Sequence, residues 1–110
     1  MGKYLAIYHG AASAEQKQEI SSEQSQAFMQ AWAEWAEANK EASVDPGSPL
    51  SKTKLLTSEG TADSSNTMTG YAIVEASSHE EAVKIFSTHP HLTLMYGNSI
   101  EVIECPPAPH

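Results

Sequence analysis

The feature of this sequence that most constrains its fold is the alternation of strand-like and helix-like segments. Apolar and aromatic side chains recur at every second position in residues 3–9 and 99–105, which is the period of a β-strand. Residues 70–76 are rich in side chains that favour strands. Residues 21–40 and 78–89 instead place apolar side chains three and four positions apart, which predicts helices with one buried face. The pattern therefore predicts a strand before, between and after two helices.

Both helices have start signals. A pair of serines stands at 21–22 and at 77–78, and a serine hydroxyl at a helix start can accept a hydrogen bond from first-turn backbone. The first helix is expected to run to about Lys40, and Pro90 is expected to end the second, because proline cannot continue a helix. The apolar stripes consist of Phe28, Ala31, Trp32, Trp35 and Ala36 in the first helix, and of Ala82, Val83, Ile85 and Phe86 in the second.

Turn chemistry dominates the connection between the first helix and the next long strand. Asp45-Pro46-Gly47 predicts a turn, and two short strands are expected on either side of it, near 42–45 and 53–58. Residues 58–69 are small and polar, so they have little apolar area to offset the entropy of ordering. We therefore expect a mobile hairpin loop at 58–69, and a loop also at 10–20.

Together these elements give the order β-α-β-β-α-β, which is the ferredoxin-like class of α+β fold. The length of 110 residues fits one domain. We assign this domain to residues 1–105 and expect the proline-rich end, 106–110, to be extended or disordered. Two helices cover only one face of such a sheet, and the strands are too apolar to leave the other face in water. A homodimer that pairs two sheets face to face would bury it.

Charge and composition exclude several classes of protein. The formal net charge is −8, and all the basic residues are lysines, so nucleic-acid binding is disfavoured. No apolar run is long enough to span a membrane, and the chain begins with an alternating strand rather than a signal segment. Cys105 has no partner for an internal disulfide. We therefore expect a cytoplasmic protein that binds neither nucleic acid nor membranes.

Several segments in order along the chain carry a resemblance to a known family: KYLAIYHG (3–10), AWAEWAEA (31–38), VDPGSPLSKTKLLTSEG (44–60), TGYAIVEASSHEEAV (69–83) and HPHLTLMYGNSIEVIE (89–104). In these segments the chain resembles the YCII-related proteins, in the branch related to the DGPF-domain proteins. The resemblance implies a ferredoxin-like fold that pairs into a dimeric α+β barrel, with muconolactone-isomerase-like and dye-decolourising-type proteins as relatives of that barrel. Many members of the family have no assigned activity, so the implied fold is more specific than the implied function.

Some YCII-related proteins are thought to use an acid–base pair, formed by a histidine on the first helix and an aspartate just before the proline that follows the second helix. This sequence differs at both places. Residues 21–40 contain no histidine, and the residue before Pro90 is His89. The pair is therefore not carried over, and any site at this place would use His89 with other neighbours.

His89 and Asp45 are the candidate catalytic residues. An imidazole titrates near neutral pH, which suits His89 to acid–base work. At the expected end of the second helix His89 could instead be a cap, and the negative helix end would raise its pKa if the ring stays hydrated. Asp45 could orient His89 across a pocket, or could only hydrogen-bond its own turn. We expect His91 to face solvent.

A metal site is a weaker hypothesis. His89 and His91 could point the same way from an extended segment, but two ligands are too few for a structural zinc site. His79 lies at the other end of the second helix and cannot complete the set. We therefore expect neither a metal nor a cofactor.

Aromatic residues define a candidate ligand pocket. Trp32 and Trp35 lie three residues apart on one helical face, a pattern typical of core residues. The alternative is that an indole lines a cavity between helix and sheet. Tyr8 and Tyr71, on strands, could present hydroxyl groups to the same cavity.

Two functions remain open at this point. The first is an enzyme that uses acid–base chemistry through His89 on a small organic molecule in a cleft between helix and sheet. The second is a non-catalytic ligand-binding, regulatory or accessory dimer. A pocket that holds His89 beside a carboxylate would favour the enzyme, whereas an exposed and unpartnered His89 would favour the module.

Overall fold

The computed structural model describes residues 1–10, 21–94 and 97–107. In these residues the chain is a mixed α+β protein with an antiparallel sheet and three helices. The elements are β1 Gly2–His9, α1 Ser22–Ala38, β2 Ser43–Asp45, β3 Thr53–Thr57, β4 Gly60–Ser64, β5 Met68–Ala76, α2 His79–Ser87, α3 His91–Leu94 and β6 Ser99–Cys105. The predicted loop at 10–20, apart from Gly10, and the last three residues of the predicted tail lie outside the described residues. None of the described helices is long and apolar enough to cross a membrane.

Four strands form one sheet in the order β2-β5-β1-β6, and each neighbouring pair is antiparallel. The two central strands are β5 and β1. In their register, Leu5 of β1 lies opposite Ile73 of β5 on one side and opposite Ile103 of β6 on the other. The strands predicted from the period-2 pattern are confirmed. So are the two short strands on either side of the Asp-Pro-Gly turn.

β3 and β4 form a separate two-stranded hairpin, with Thr57 opposite Gly60. The prediction of a loop throughout 58–69 is therefore wrong for Gly60–Ser64, and also for its last two residues, which begin β5. Every residue of β4 is exposed, so no buried face exists to impose an alternation of apolar and polar residues. A strand of this kind gives no periodic signal in the sequence.

The first helix begins as its serine pair predicts. Ser21 caps α1: its Oγ accepts from Gln24 N at 3.1 Å, and Ser21 N donates to Gln24 Oε1 at 3.0 Å. This reciprocal pair satisfies two backbone donors at the helix start. No residue of α1 is fully buried, and Trp32 and Trp35 are its residues that pack against the core.

The second helix also begins as predicted but ends earlier. Ser78 caps α2 through a hydrogen bond from Glu81 N at 3.1 Å. The helix ends at Ser87, before Pro90, because the chain turns at Thr88 and then starts the short α3. Val83, which the apolar stripe was expected to include, is 48% exposed, so this part of the prediction is wrong.

The core lies between one face of the sheet and α2. It consists of Tyr4, Ala6 and Tyr8 of β1, Ala72, Val74 and Ala76 of β5, and Ala82 and Phe86 of α2. The buried residues of β1 follow the predicted alternation, and those of β5 alternate in the same way, because the residues between them point to the other face. That second face carries half-buried apolar side chains, among them Leu5, Ile7 and Ile73.

Candidate functional site

A cavity of about 690 Å³ lies between α1, the central strands and the turn that follows β2. The volume falls within the range of about 300–1,000 Å³ usual for small-molecule sites. Its lining residues come from α1 (Phe28, Met29, Trp32, Ala33, Ala36), from β1 and β5 with their ends (Tyr8, Gly10, Thr69, Gly70, Tyr71), from the turn (Pro46, Gly47, Ser48, Pro49), and from the region before β6 (His91, Asn98). The walls are thus mainly apolar and aromatic.

The turn after β2 is fixed against β5. Asp45 Oδ1 accepts a hydrogen bond from Gly47 N at 2.8 Å. Gly47 has a φ of +77°, and a Cβ there would lie 1.6 Å from the carbonyl oxygen of Tyr71, so only glycine fits. Tyr71 N in turn donates to Ser48 O at 3.3 Å. Asp45 therefore stabilises its own turn, which is the simpler of its two predicted roles.

His89 packs behind the cavity wall, against Trp32. Its side chain is 1% exposed, and its ring centroid is 4.3 Å from that of Trp32 and 4.4 Å from that of Trp35. Nδ1 accepts from His91 N at 3.0 Å, and Nε2 has no hydrogen-bond partner among the described residues. His89 is therefore not hydrogen-bonded to Asp45, and it is not among the residues that line the cavity.

The protonation of His89 differs from expectation. Burial, and secondarily the like charge of His91, lower its pKa to about 4. The predicted rise of the pKa is wrong, because it required a hydrated ring at the helix end. Since Nδ1 accepts a hydrogen bond, neutral His89 carries its proton on Nε2.

His91, rather than His89, lies on the cavity wall. The expectation that it faces solvent is wrong, since it is 5% exposed. Its Nε2 lies 2.9 Å from the carbonyl oxygen of His9, and a carbonyl can only accept, so Nε2 carries the proton. Nδ1 of the neutral ring is then an acceptor. Asn98 Nδ2 donates to the His91 carbonyl oxygen at 3.1 Å and helps to fix this segment.

Three of the four predicted pocket residues line the cavity: Tyr8, Trp32 and Tyr71. Tyr71 lines the cavity next to Gly47. Its position in β5 places its side chain on the same sheet face as Ile73, which is the face away from the core. Trp35 does not line the cavity. Its Nε1 donates to Ile85 O at 3.0 Å, and its ring lies 5.3 Å from that of Phe86, so Trp35 belongs to the interface between α1 and α2.

Of the two tyrosines among the predicted pocket residues, Tyr8 is the more deeply buried. Tyr8 is 2% exposed, and burial raises the pKa of its phenol. The Tyr8 hydroxyl therefore stays protonated and can donate a hydrogen bond at any ordinary pH.

The electrostatic character of the cavity follows from its lining. None of the described lining residues has a carboxylate, ammonium or guanidinium group. The polar side chains among them include the imidazole of His91, the hydroxyls of Tyr8, Ser48 and Thr69, and the amide of Asn98. The described lining can therefore orient a ligand through hydrogen bonds, but it places no permanently charged side chain opposite an ion.

A second polar cluster lies at the end of β1, and no sequence pattern predicts it. His9 Nε2 lies 2.5 Å from Glu101 Oε1, and His9 Nδ1 lies 2.8 Å from Thr67 Oγ1. The three residues come from distant parts of the chain, so no local spacing could reveal the cluster. It ties the segment before β5 to β6.

The described residues contain no group of three or more histidine, cysteine, aspartate or glutamate side chains that could hold a metal ion. The His89 and His91 rings are 6.4 Å apart between centroids. One nitrogen of each ring is used in a hydrogen bond with the backbone.

A scan against protein-family models finds no matching family, and a search of curated proteins finds no significant match. The resemblance to the YCII-related proteins stays a prediction.

Proposed function

We propose that this protein binds a small, mainly apolar organic molecule in the cavity between α1 and the sheet. The main support for the proposal is the cavity itself, which has a volume of about 690 Å³, mainly apolar walls and a few polar groups in its lining. Binding sites for small molecules commonly combine these three properties. Of the two functions predicted from the sequence, the ligand-binding module is the one that this geometry supports best.

A fluorescence titration with N-phenyl-1-naphthylamine, a neutral apolar dye, tests the proposal. The dye should gain fluorescence on binding to the wild-type protein. Ala33→Phe adds a ring to the cavity wall and should reduce binding about tenfold or more, since it fills the space that the dye needs. Ala27→Phe is the matched control, because Ala27 is an exposed residue of the same helix that does not line the cavity. Equal binding by both variants and the wild type would place the dye elsewhere and contradict the proposal.

Proton transfer is a second candidate function, and the position of His91 on the cavity wall favours it. Its Nε2 is held by the His9 carbonyl, so the acceptor Nδ1 is the nitrogen that can take a proton from a ligand. The buried Tyr8 phenol, whose ring centroid lies 5.4 Å from that of His91, supplies a donor. An acid–base enzyme would thus use His91 in the role that the sequence suggested for His89. Solvent deuterium exchange into a bound ligand, lost in His91→Phe, tests this function.

We propose further that the fold is ferredoxin-like and that two copies pair through their open sheet faces, as in a dimeric α+β barrel. The strand order β2-β5-β1-β6, antiparallel throughout, supports this assignment, with β3–β4 as an added hairpin. The half-buried apolar side chains on the open face, Leu5, Ile7, Tyr71 and Ile73, supply a surface that association would remove from water. Light scattering should give twice the monomer mass. Membership of the YCII-related family and a cytoplasmic location belong to the same proposal.

A further inference from the structure

The lining of the cavity restricts the charge of its ligand. No described lining residue has a carboxylate, ammonium or guanidinium group, and the whole chain, at a net charge of −8, has no arginine. An ion that entered would lose hydration without meeting an opposite, permanently charged side chain among these described lining residues, which is strongly unfavourable. The described lining therefore favours uncharged molecules.

The aromatic walls restrict the shape of the ligand. Trp32 makes edge-to-face contacts with Tyr8 and with Phe28, at centroid distances of 5.2 and 5.3 Å and with interplanar angles of 87° in both cases. The ring planes are thus fixed against one another. Flat aromatic molecules gain most from walls of this kind, because rings attract one another in stacked or edge-to-face arrangements.

His91 restricts the polar group of the ligand. Its Nε2–H is used by the carbonyl oxygen of His9 at 2.9 Å, which leaves Nδ1 as the acceptor of the neutral ring. His91 is 5% exposed, and an acceptor that a ligand shields from water is best satisfied by a donor on that ligand. A ketone, ether or ester cannot supply one, whereas a hydroxyl can.

We infer that the ligand is an uncharged, planar aromatic molecule whose hydroxyl group donates a hydrogen bond to Nδ1 of His91. The inference rests on the proposed function, since it names the class of molecule that the cavity takes. The phenol of Tyr8 can donate in turn to the same ligand oxygen, because a hydroxyl both donates and accepts.

Four probes with the same ring system test the inference by calorimetry at neutral pH: 1-naphthol, 1-methoxynaphthalene, 1-naphthoate and 1-naphthylmethylammonium. 1-Naphthol should bind about three- to tenfold more tightly than the methoxy compound, which keeps the oxygen but cannot donate. Both ions should bind more weakly than the methoxy compound. Equal binding of naphthol and methoxynaphthalene would overturn the inference and leave the proposed function standing. Tightest binding of the ammonium ion would also overturn it, in favour of a cation held by the aromatic walls. If none of the four binds, the proposed function fails instead.

His91→Phe keeps an aromatic ring on the wall and removes the acceptor. The preference for naphthol over methoxynaphthalene, taken as the ratio of the two affinities within this variant, should vanish. Because His91 also holds the His9 carbonyl, a second measurement on the wild type guards against a variant that does not fold. The ¹⁵N chemical shift of His91 Nδ1 should move towards the value of a hydrogen-bonded acceptor nitrogen when naphthol is added, and should not change with methoxynaphthalene. An unchanged resonance at saturating naphthol would overturn the inference.

Discussion

Acid should destabilise this protein through His89. Burial holds the pKa of His89 near 4 in the folded chain, against an ordinary value of 6.5. Between these two values the unfolded chain takes up a proton that the folded chain does not, so the free energy of unfolding falls as the pH falls. Each pH unit contributes about 1.4 kcal/mol, so the loss from His89 totals about 3 kcal/mol. Above pH ~6.5 both states are neutral, and the contribution is flat.

The comparison with His89→Asn isolates this contribution. The Oδ1 of asparagine can accept the hydrogen bond from His91 N that Nδ1 accepts in the wild type, but asparagine does not titrate. The variant should be less stable near neutral pH, because a smaller side chain leaves space between the two tryptophans. Its stability should nevertheless fall less steeply below pH ~6.5 than that of the wild type.

Urea unfolding followed by tryptophan fluorescence, at several pH values and one protein concentration, measures both curves. The carboxylates, His9 and His79 are common to the two chains, so their contributions cancel in the difference. The like charge of His91 enters the difference through its effect on His89. Parallel curves would refute the lowered pKa. A wild type that gains stability relative to the variant as the pH falls would show that the ring is hydrated and charged, as a helix cap would be.

Three other changes should have defined effects on stability, each measured by urea unfolding. Ser21→Ala removes a cap and should cost about 1 kcal/mol, whereas Ser22→Ala, one residue into the helix, should cost much less; equal losses would contradict the capping role. Gly47→Ala should destabilise by several kcal/mol or prevent folding, because its Cβ would lie 1.6 Å from the Tyr71 oxygen; a fully stable variant would refute this close approach of the turn to β5. Trp35→Phe should cost about 2 kcal/mol, because it loses the hydrogen bond to the α2 backbone as well as packing, and a change within error would show that the indole nitrogen contributes nothing.

Local signals made most of the fold predictable. Strand periodicity in β1 and β5 follows from one buried face, and the caps at Ser21 and Ser78 depend only on residues within one helical turn. β4 could not be predicted in this way because both of its faces are exposed. The early end of α2 could not be predicted either, because Pro90 marks the start of α3 rather than the last turn of α2.

The site was predictable only in part. Tyr8 and Trp32 could be assigned to a cavity because aromatic side chains on a helix and on a facing strand must meet between them. The exchange of roles between His89 and His91 could not be foreseen, because it depends on how His89 packs against Trp32 and how both histidines pack against Tyr8. The contribution of the turn at 46–49 to the wall likewise depends on its hydrogen bonds to β5, which local sequence does not encode.

The most direct test of the central claim is to locate a bound aromatic molecule by NMR. Nuclear Overhauser effects from the ring protons of 1-naphthol should reach the Met29 methyl group and the Trp32 indole, both of which line the cavity. Leu55 and Leu56 of the β3–β4 hairpin, 52% and 75% exposed, are the matched alternative, since they offer apolar surface and do not line the cavity. Contacts to Met29 and Trp32 alone are the predicted result. Contacts to the hairpin leucines, with none to Trp32, would contradict the claim that the cavity is the binding site.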